Sequence, residues 1–151
     1  MNYSATQWKV VALRETPLTT PPIADSPEDC VAYWRTHIAA SPDYSDERES
    51  LYILHLNARR RVTGFHLAAH GLLDTILTDA RSVFRAAIVA NAAAIVLMHN
   101  HPSGDSAPSE CDVKVTRDLI RAGQLLKIEV LDHVIIGHGR HSSLKELNYF
   151  I

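Results

Sequence analysis

The chain is short of cysteine, of unbroken apolar sequence and of net charge, and each shortage removes a class of protein. Only Cys30 and Cys111 stand in 151 residues. They form no CxxC pair and no zinc-finger spacing, and a single bridge would not make a disulfide framework. A reducing, cytoplasmic setting is therefore expected. The longest apolar stretch, Ala92 to Met98, falls far short of the ~20 residues that span a bilayer, so no membrane role is expected. Met1 to Val10 carries Lys9 but no long apolar core, and no secretory leader is expected there. The formal net charge is −2, which argues against a general nucleic-acid-binding surface. Repeats and low-complexity runs are also missing.

What is present is globular. A chain that is 46% hydrophobic is too apolar for disorder, and its length suits one domain with a real core. Histidine is the odd excess: nine, against six glycines and seven prolines. It is the commonest metal ligand and the usual proton carrier near neutral pH.

The chain reads as mixed strands and helices. Trp8 to Leu13 has the pattern of a short edge strand, where two copies would pair in a homodimer. Glu15 to Pro22 reads as an extended connector. Residues 1–25 are thus an N-terminal extension and 26–151 the domain. Ser26-Pro27-Glu28-Asp29 is a helix start, with Val31, Trp34 and Ile38 as its apolar stripe. Leu51–Leu56 and Val62–His70 read as strands around an Asn57–Arg61 turn.

Thr78-Asp79 caps a helix to about Asn91, with Val83, Ala87 and Ala90 inward. Ala93–Met98 reads as a buried strand, and Ser103–Pro108 as a loop. Ser109–Asp112 has the form of a capping box, and its helix, with Val113, Leu119 and Ile120 inward, stops near Gly123. Ile128–Ile136 is a further strand, and Ser143–Asn148 a last helical turn. Without strict βαβ repetition, the order predicts an α+β fold, an α-β-α sandwich.

The chemistry concentrates between His99 and Asp112. In extended chain, residues i and i+2 point to the same side, so His99 and His101 leave the strand end together. Asp112, in the first turn of the next helix, is favoured as an ionised carboxylate. Two neutral imidazoles and a carboxylate suit a divalent metal of zinc type, and three protein ligands leave a position open, the catalytic pattern. A base is needed beside such a metal. Glu28, Glu47, Glu49, Asp74, Asp105, Glu110 and Asp132 are the available acids, and spacing alone does not choose among them.

His99-Asn100-His101-Pro102-Ser103-Gly104, then Pro108-Ser109 and Asp112, resemble the JAMM motif (H-x-H-P, six residues, S-x-x-D) of JAB/MPN metalloproteases. With Leu131-Asp132-His133, the pattern is similar to the RadC-like branch. The resemblance runs from about Ser26 to the C-terminus. It implies a JAB/MPN-like (cytidine-deaminase-like) fold, a mixed central sheet flanked by helices. It implies one catalytic Zn2+ per chain on His99, His101 and Asp112, and hydrolysis of a peptide, isopeptide or other amide bond in a protein or peptide substrate. The family's serine falls on Ser109, where oxyanion support and helix capping compete for one hydroxyl. The family's general base falls on Glu49, with Glu47 as fallback.

Three departures stand out. RadC-like chains often carry an N-terminal helix-hairpin-helix region, and this sequence is too short for one, which weakens the expectation of DNA binding. The usual G-T-L after the second strand is Gly71-Leu72-Leu73, and a usual P-R-E is Asp79-Ala80-Arg81-Ser82. These changes bear on substrate contacts rather than the metal motif. The rival functions are a DNA-repair or mobile-element accessory protein that binds partners without hydrolysis, and an iron(II) facial triad.

The remaining polar residues have plainer expectations. Asp132-His133 is a ligand-orienting pair or, by preference, holds a buried histidine satisfied within a strand. His55, His66 and His70 read as strand-surface side chains. His138 and His141 read as solvated, Cys111 as a small packing residue, and Arg59-Arg60-Arg61 as a solvated turn.

Overall fold

A computed structural model describes residues 20–71 and 78–151. The expected edge strand at Trp8–Leu13 and the acid Asp74 lie outside the described residues.

The first helix, α1 (Pro27–Tyr33), starts as its sequence dictates: Ser26 and Asp29 form a reciprocal capping box, with Pro27 at the first helical position. It runs into a π-helical turn, Trp34–Ile38, closed by Ala39 N–H on the Trp34 carbonyl at 2.8 Å. The wider turn leaves Val31, Trp34 and Ile38 all buried. Strands β1 (Ser50–Leu56) and β2 (Val62–His70) make the expected antiparallel hairpin. Asp79 caps α2 (Ala80–Val89), and β3 (Ala94–Asn100), α3 (Glu110–Leu126), β4 (Glu129–Ile136) and β5 (His141–Ser143) follow.

The sheet order is β2-β1-β3-β4-β5, with β3 and β4 parallel and the other pairs antiparallel. Its two faces follow from the alternation of side chains along a strand. Val96 and Met98 of β3 pack with Cys30 and Val31 of α1 and with Trp34 and Ile38 of the π-helical turn. Ile95 and Leu97 pack with Val83, Phe84 and Ala87 of α2 and Val115 and Leu119 of α3. The fold is thus α+β, helices on both faces of a mixed sheet, consistent with the JAB/MPN fold. Among the described residues, no helix is long and apolar enough to cross a membrane.

Several boundaries differ from expectation. The inward face of α2 includes Phe84, while Ala90 sits exposed at the helix end. α3 passes through Gly123 and stops at Lys127, which takes the left-handed conformation. Gly123 is there for space: a Cβ on it would lie 2.4 Å from the Ile128 carbonyl oxygen. Residues 144–148 close as turns after β5 rather than as a helix. β3 itself continues two residues past Met98, so His99 belongs to the central sheet.

Candidate metal centre

Glu49, His99, His101 and Asp112 each offer one ligand atom, and these atoms lie within 4.8 Å of one another. Three elements bring them together. β3 delivers His99 and His101 from its end, α3 delivers Asp112 from its first turn, and the residue before β1 is Glu49. The loop that turns β3 toward α3 is tight. Gly104 has φ +84, and a Cβ there would lie 2.4 Å from His138 Nδ1.

The histidine tautomers follow from the outer hydrogen bonds. The Thr116 hydroxyl donates to the Asp112 carbonyl at 2.6 Å, so its oxygen must accept from His133 Nδ1–H, also at 2.6 Å. His133 Nε2 is then an acceptor, and His99 Nδ1–H donates to it at 2.7 Å. His101 Nδ1–H donates to the Asp105 carbonyl at 2.7 Å. In the neutral rings both Nε2 atoms are therefore bare lone pairs, and they face each other 2.8 Å apart. Two lone pairs at that distance repel unless a proton or a metal ion lies between or beside them.

The carboxylates complete the donor set. Asp112 Oδ1 lies 3.3 Å from His99 Nε2, and Oδ2 lies 3.5 Å from His101 Nε2. A tetrahedral ion with bonds of about 2.0–2.1 Å separates its donors by roughly 3.3 Å. The carboxylate–imidazole distances match that spacing and the 2.8 Å between the two imidazoles is shorter, so this nitrogen and oxygen donor set suits a divalent ion once the rings part slightly. Burial acts to raise the Asp112 carboxyl, but His101, His99 and the Ser109 amide outweigh it and hold the group well below the usual carboxylate range. Ser109 N–H reaches Asp112 Oδ2 at 2.7 Å. Burial pushes His99 well below the ordinary imidazole value, with His133 adding to the effect. His101 is raised, by Asp112 first.

Glu49 Oε1 lies 3.7 Å from His99 Nε2 and 4.0 Å from His101 Nε2. Burial raises its carboxyl above the ordinary value. Glu47 is exposed and outside the cluster. Glu28 instead faces His141 at 3.6 Å, Glu110 is exposed, and Asp105 contributes only its carbonyl to the His101 contact.

Other residues depart from their expected places. His133 is fully buried and bonded to His99, so the satisfied strand histidine is also the one that orients the His99 ring. Its neighbour Asp132 takes no part in that contact. It accepts from His133 N–H, Lys145 N–H and the Ser143 hydroxyl. His55 is 5% exposed, not a surface residue, because β1 is an inner strand covered on both faces. Cys111 is exposed rather than packed. Asn100, between the two ligand candidates, is buried and bonded to the segment around Glu49, a role that pattern reading did not single out.

Comparison with known proteins gives the family. The family model described as RadC-like JAB domain matches residues 24–149. A UPF0758 protein of Moorella thermoacetica is 50% identical over 102 residues, 68% of this chain and 44% of the relative. One from Desulfitobacterium hafniense (strain DSM 10664 / DCB-2) is 42% identical over 125 residues, 83% of this chain and 53% of the relative. One from Methanococcoides burtonii is 43% identical over 103 residues, 68% of this chain and 45% of the relative. The chain spans about half the length of these curated relatives. With the match covering nearly all of the described fold and its histidine–carboxylate cluster, the chain belongs to the RadC-like JAB domain family.

Proposed function

We propose that the protein is a zinc-dependent hydrolase of JAMM type that cleaves a peptide, isopeptide or other amide bond. The observation that carries this reading is the pair of bare, convergent Nε2 atoms beside one ionised and one proton-accepting carboxylate. His99, His101 and Asp112 would hold the ion. Zinc in such a site lowers the pKa of bound water to about 7 and polarises a carbonyl.

The chain's own residues supply the rest. Glu49, raised by burial, takes a proton from the attacking water and returns it to the leaving amine. The Ser109 oxygen accepts from Asp112 N–H in the helix cap, and its hydroxyl also supports the Asp112 carboxylate, so the proton must turn from that carboxylate to support an oxyanion. Beside Asn100 and His101 opens a cavity of about 220 Å³ with Trp34, Tyr44 and Ile136 in its walls, room for one group of the substrate. A larger cavity, about 510 Å³, lies against Asp132 and Cys30 and holds none of the cluster residues.

The test is metal content and hydrolysis together. Purified protein should carry about one zinc per chain. Glu49→Gln should keep that zinc and lose at least about 10²-fold in amide hydrolysis, the low end for general acid–base catalysis. Metal analysis that finds no zinc, or undiminished hydrolysis in Glu49→Gln, overturns the reading.

A further inference from the structure

We propose that Asn100, the residue between the two ligand histidines, is a positioning residue that sets Glu49 over the metal centre. The inference rests on the hydrolase reading above. Backbone pairing between β1 and β3 ends at Leu51 and His99. Beyond that rung β3 turns to its other neighbour, with His101 N–H donating to the Ile136 carbonyl at 2.9 Å. Segment 48–50, which carries Glu49, would then lose its partner on the β3 side.

The Asn100 side chain fills that place. Its Oδ1 accepts from Ser50 N–H at 3.0 Å, and its Nδ2 donates to the Arg48 carbonyl at 3.1 Å. A carboxamide carries donor and acceptor together, as a peptide group does. Asn100 therefore stands in for the missing rung, and its two bonds bracket Glu49. The Glu49 carbonyl is held from the other side by Gly71 N–H at 2.8 Å. With Asn100 only 4% exposed, water competes little for these bonds.

Side chains alternate along a strand, so Asn100 turns away from the face that carries His99. One strand end thereby presents two ligands on one side and grips the base-bearing segment on the other. Aspartate would lose the donor to Arg48, and serine would reach neither group as an amide does. A displacement of about 1 Å at a reacting group can cost roughly 10²-fold in rate, which is the scale on which such a grip matters.

Cobalt(II), bound to the full chain in place of zinc, provides a substrate-free test. The visible absorption of the cobalt protein is followed against pH in the wild type, Glu49→Gln, Asn100→Asp and the milder Asn100→Ser. Both Asn100 variants should bind cobalt within about threefold of wild type, not with the roughly tenfold to hundredfold loss that follows removal of a ligand's own hydrogen-bond partner. Their pH midpoint should move in the same direction as that of Glu49→Gln. A wild-type midpoint in both Asn100 variants, while Glu49→Gln shifts, overturns the inference and leaves the hydrolase reading standing. Cobalt affinity that falls in step with the midpoint also overturns it, because Asn100 would then support the ligands themselves. Absence of cobalt binding in the wild type, or a midpoint unmoved by Glu49→Gln, overturns the hydrolase reading and this inference with it.

Discussion

Two imidazole pairs sit along the same sheet, one at the level of Leu51 and the other at the level of His55. In each, two ring nitrogens lie 2.8 Å apart. Proximity is the same; the direction of the outer hydrogen bonds is not. His66 Nε2–H donates to the Ser82 carbonyl, so His66 Nδ1 accepts from His55 Nε2–H, and the chain of donors is complete. At the other pair both outer nitrogens donate, to His133 and to the Asp105 carbonyl, which leaves the facing nitrogens of the neutral rings without a proton. Two carboxylates stand beside that pair. A metal site is thus written in what surrounds the imidazoles, not in their closeness.

The sharpest way to break this comparison is to remove each pair in turn. His99→Ala with His101→Ala should abolish tight zinc binding, whereas His55→Ala with His66→Ala should leave about one zinc per chain wherever the variant folds. Metal analysis of both proteins decides it. Zinc that follows the His55–His66 pair would refute the assignment.

The closed pair should reveal itself through acid instead. Burial, with His66 adding, pushes His55 down to about 4 from the ordinary 6.5. Above pH 6.5 both folded and unfolded chains hold it neutral. As pH falls from 6.5 to 4 the unfolded chain takes up the proton first, so stability is lost across that window and levels off below it. A shift of this size corresponds to about 3 kcal/mol. Urea unfolding of wild type and His55→Gln at pH 7 and pH 4.5 should show a smaller acid loss in the variant. Equal losses would mean that His55 does not stay neutral in the fold.

Next in size is the relay behind His99. Removing the hydrogen-bond partner of a ligand imidazole costs roughly 10- to 100-fold in metal affinity. His133→Gln should fall in that range, and Thr116→Val, which removes the far end of the relay, should fall below it. Competition with a chelator measures both. Unchanged affinity in both variants would show that the tautomer of His99 is fixed by something else.

The parts legible in the sequence are those whose partners lie close along the chain. His99, His101 and Asp112 are set by strand alternation and by one capping box, both local rules. The α+β sandwich followed from hydrophobic runs of the right period. The rest is made by contacts across the fold. His99 meets His133 thirty-four residues on, and Asn100 meets Arg48 fifty-two residues back. The local pattern offers Asp132-His133 as a pair without telling which of the two meets His99, and nothing local marks Asn100 for Arg48. Gly123 misled for a related reason: a glycine near a helix end looks like a stop, but this one is needed where α3 passes close to Ile128.

Ser109 gives the smallest effect and separates two uses of one hydroxyl. As the helix cap its oxygen accepts from Asp112 N–H at 3.1 Å. Replacing a serine cap by alanine costs about 1 kcal/mol, and by glycine only a few tenths. Ser109→Ala should therefore be less stable than Ser109→Gly in thermal unfolding. Hydrolysis should not follow that order, because both variants lack the hydroxyl proton that would reach an oxyanion. If activity instead tracks stability, highest in glycine and lowest in alanine, the hydroxyl serves the helix alone. If it does not, the contrast with the His55–His66 pair extends to Ser109: what decides the use of either group is where its proton goes once the structural bonds are made.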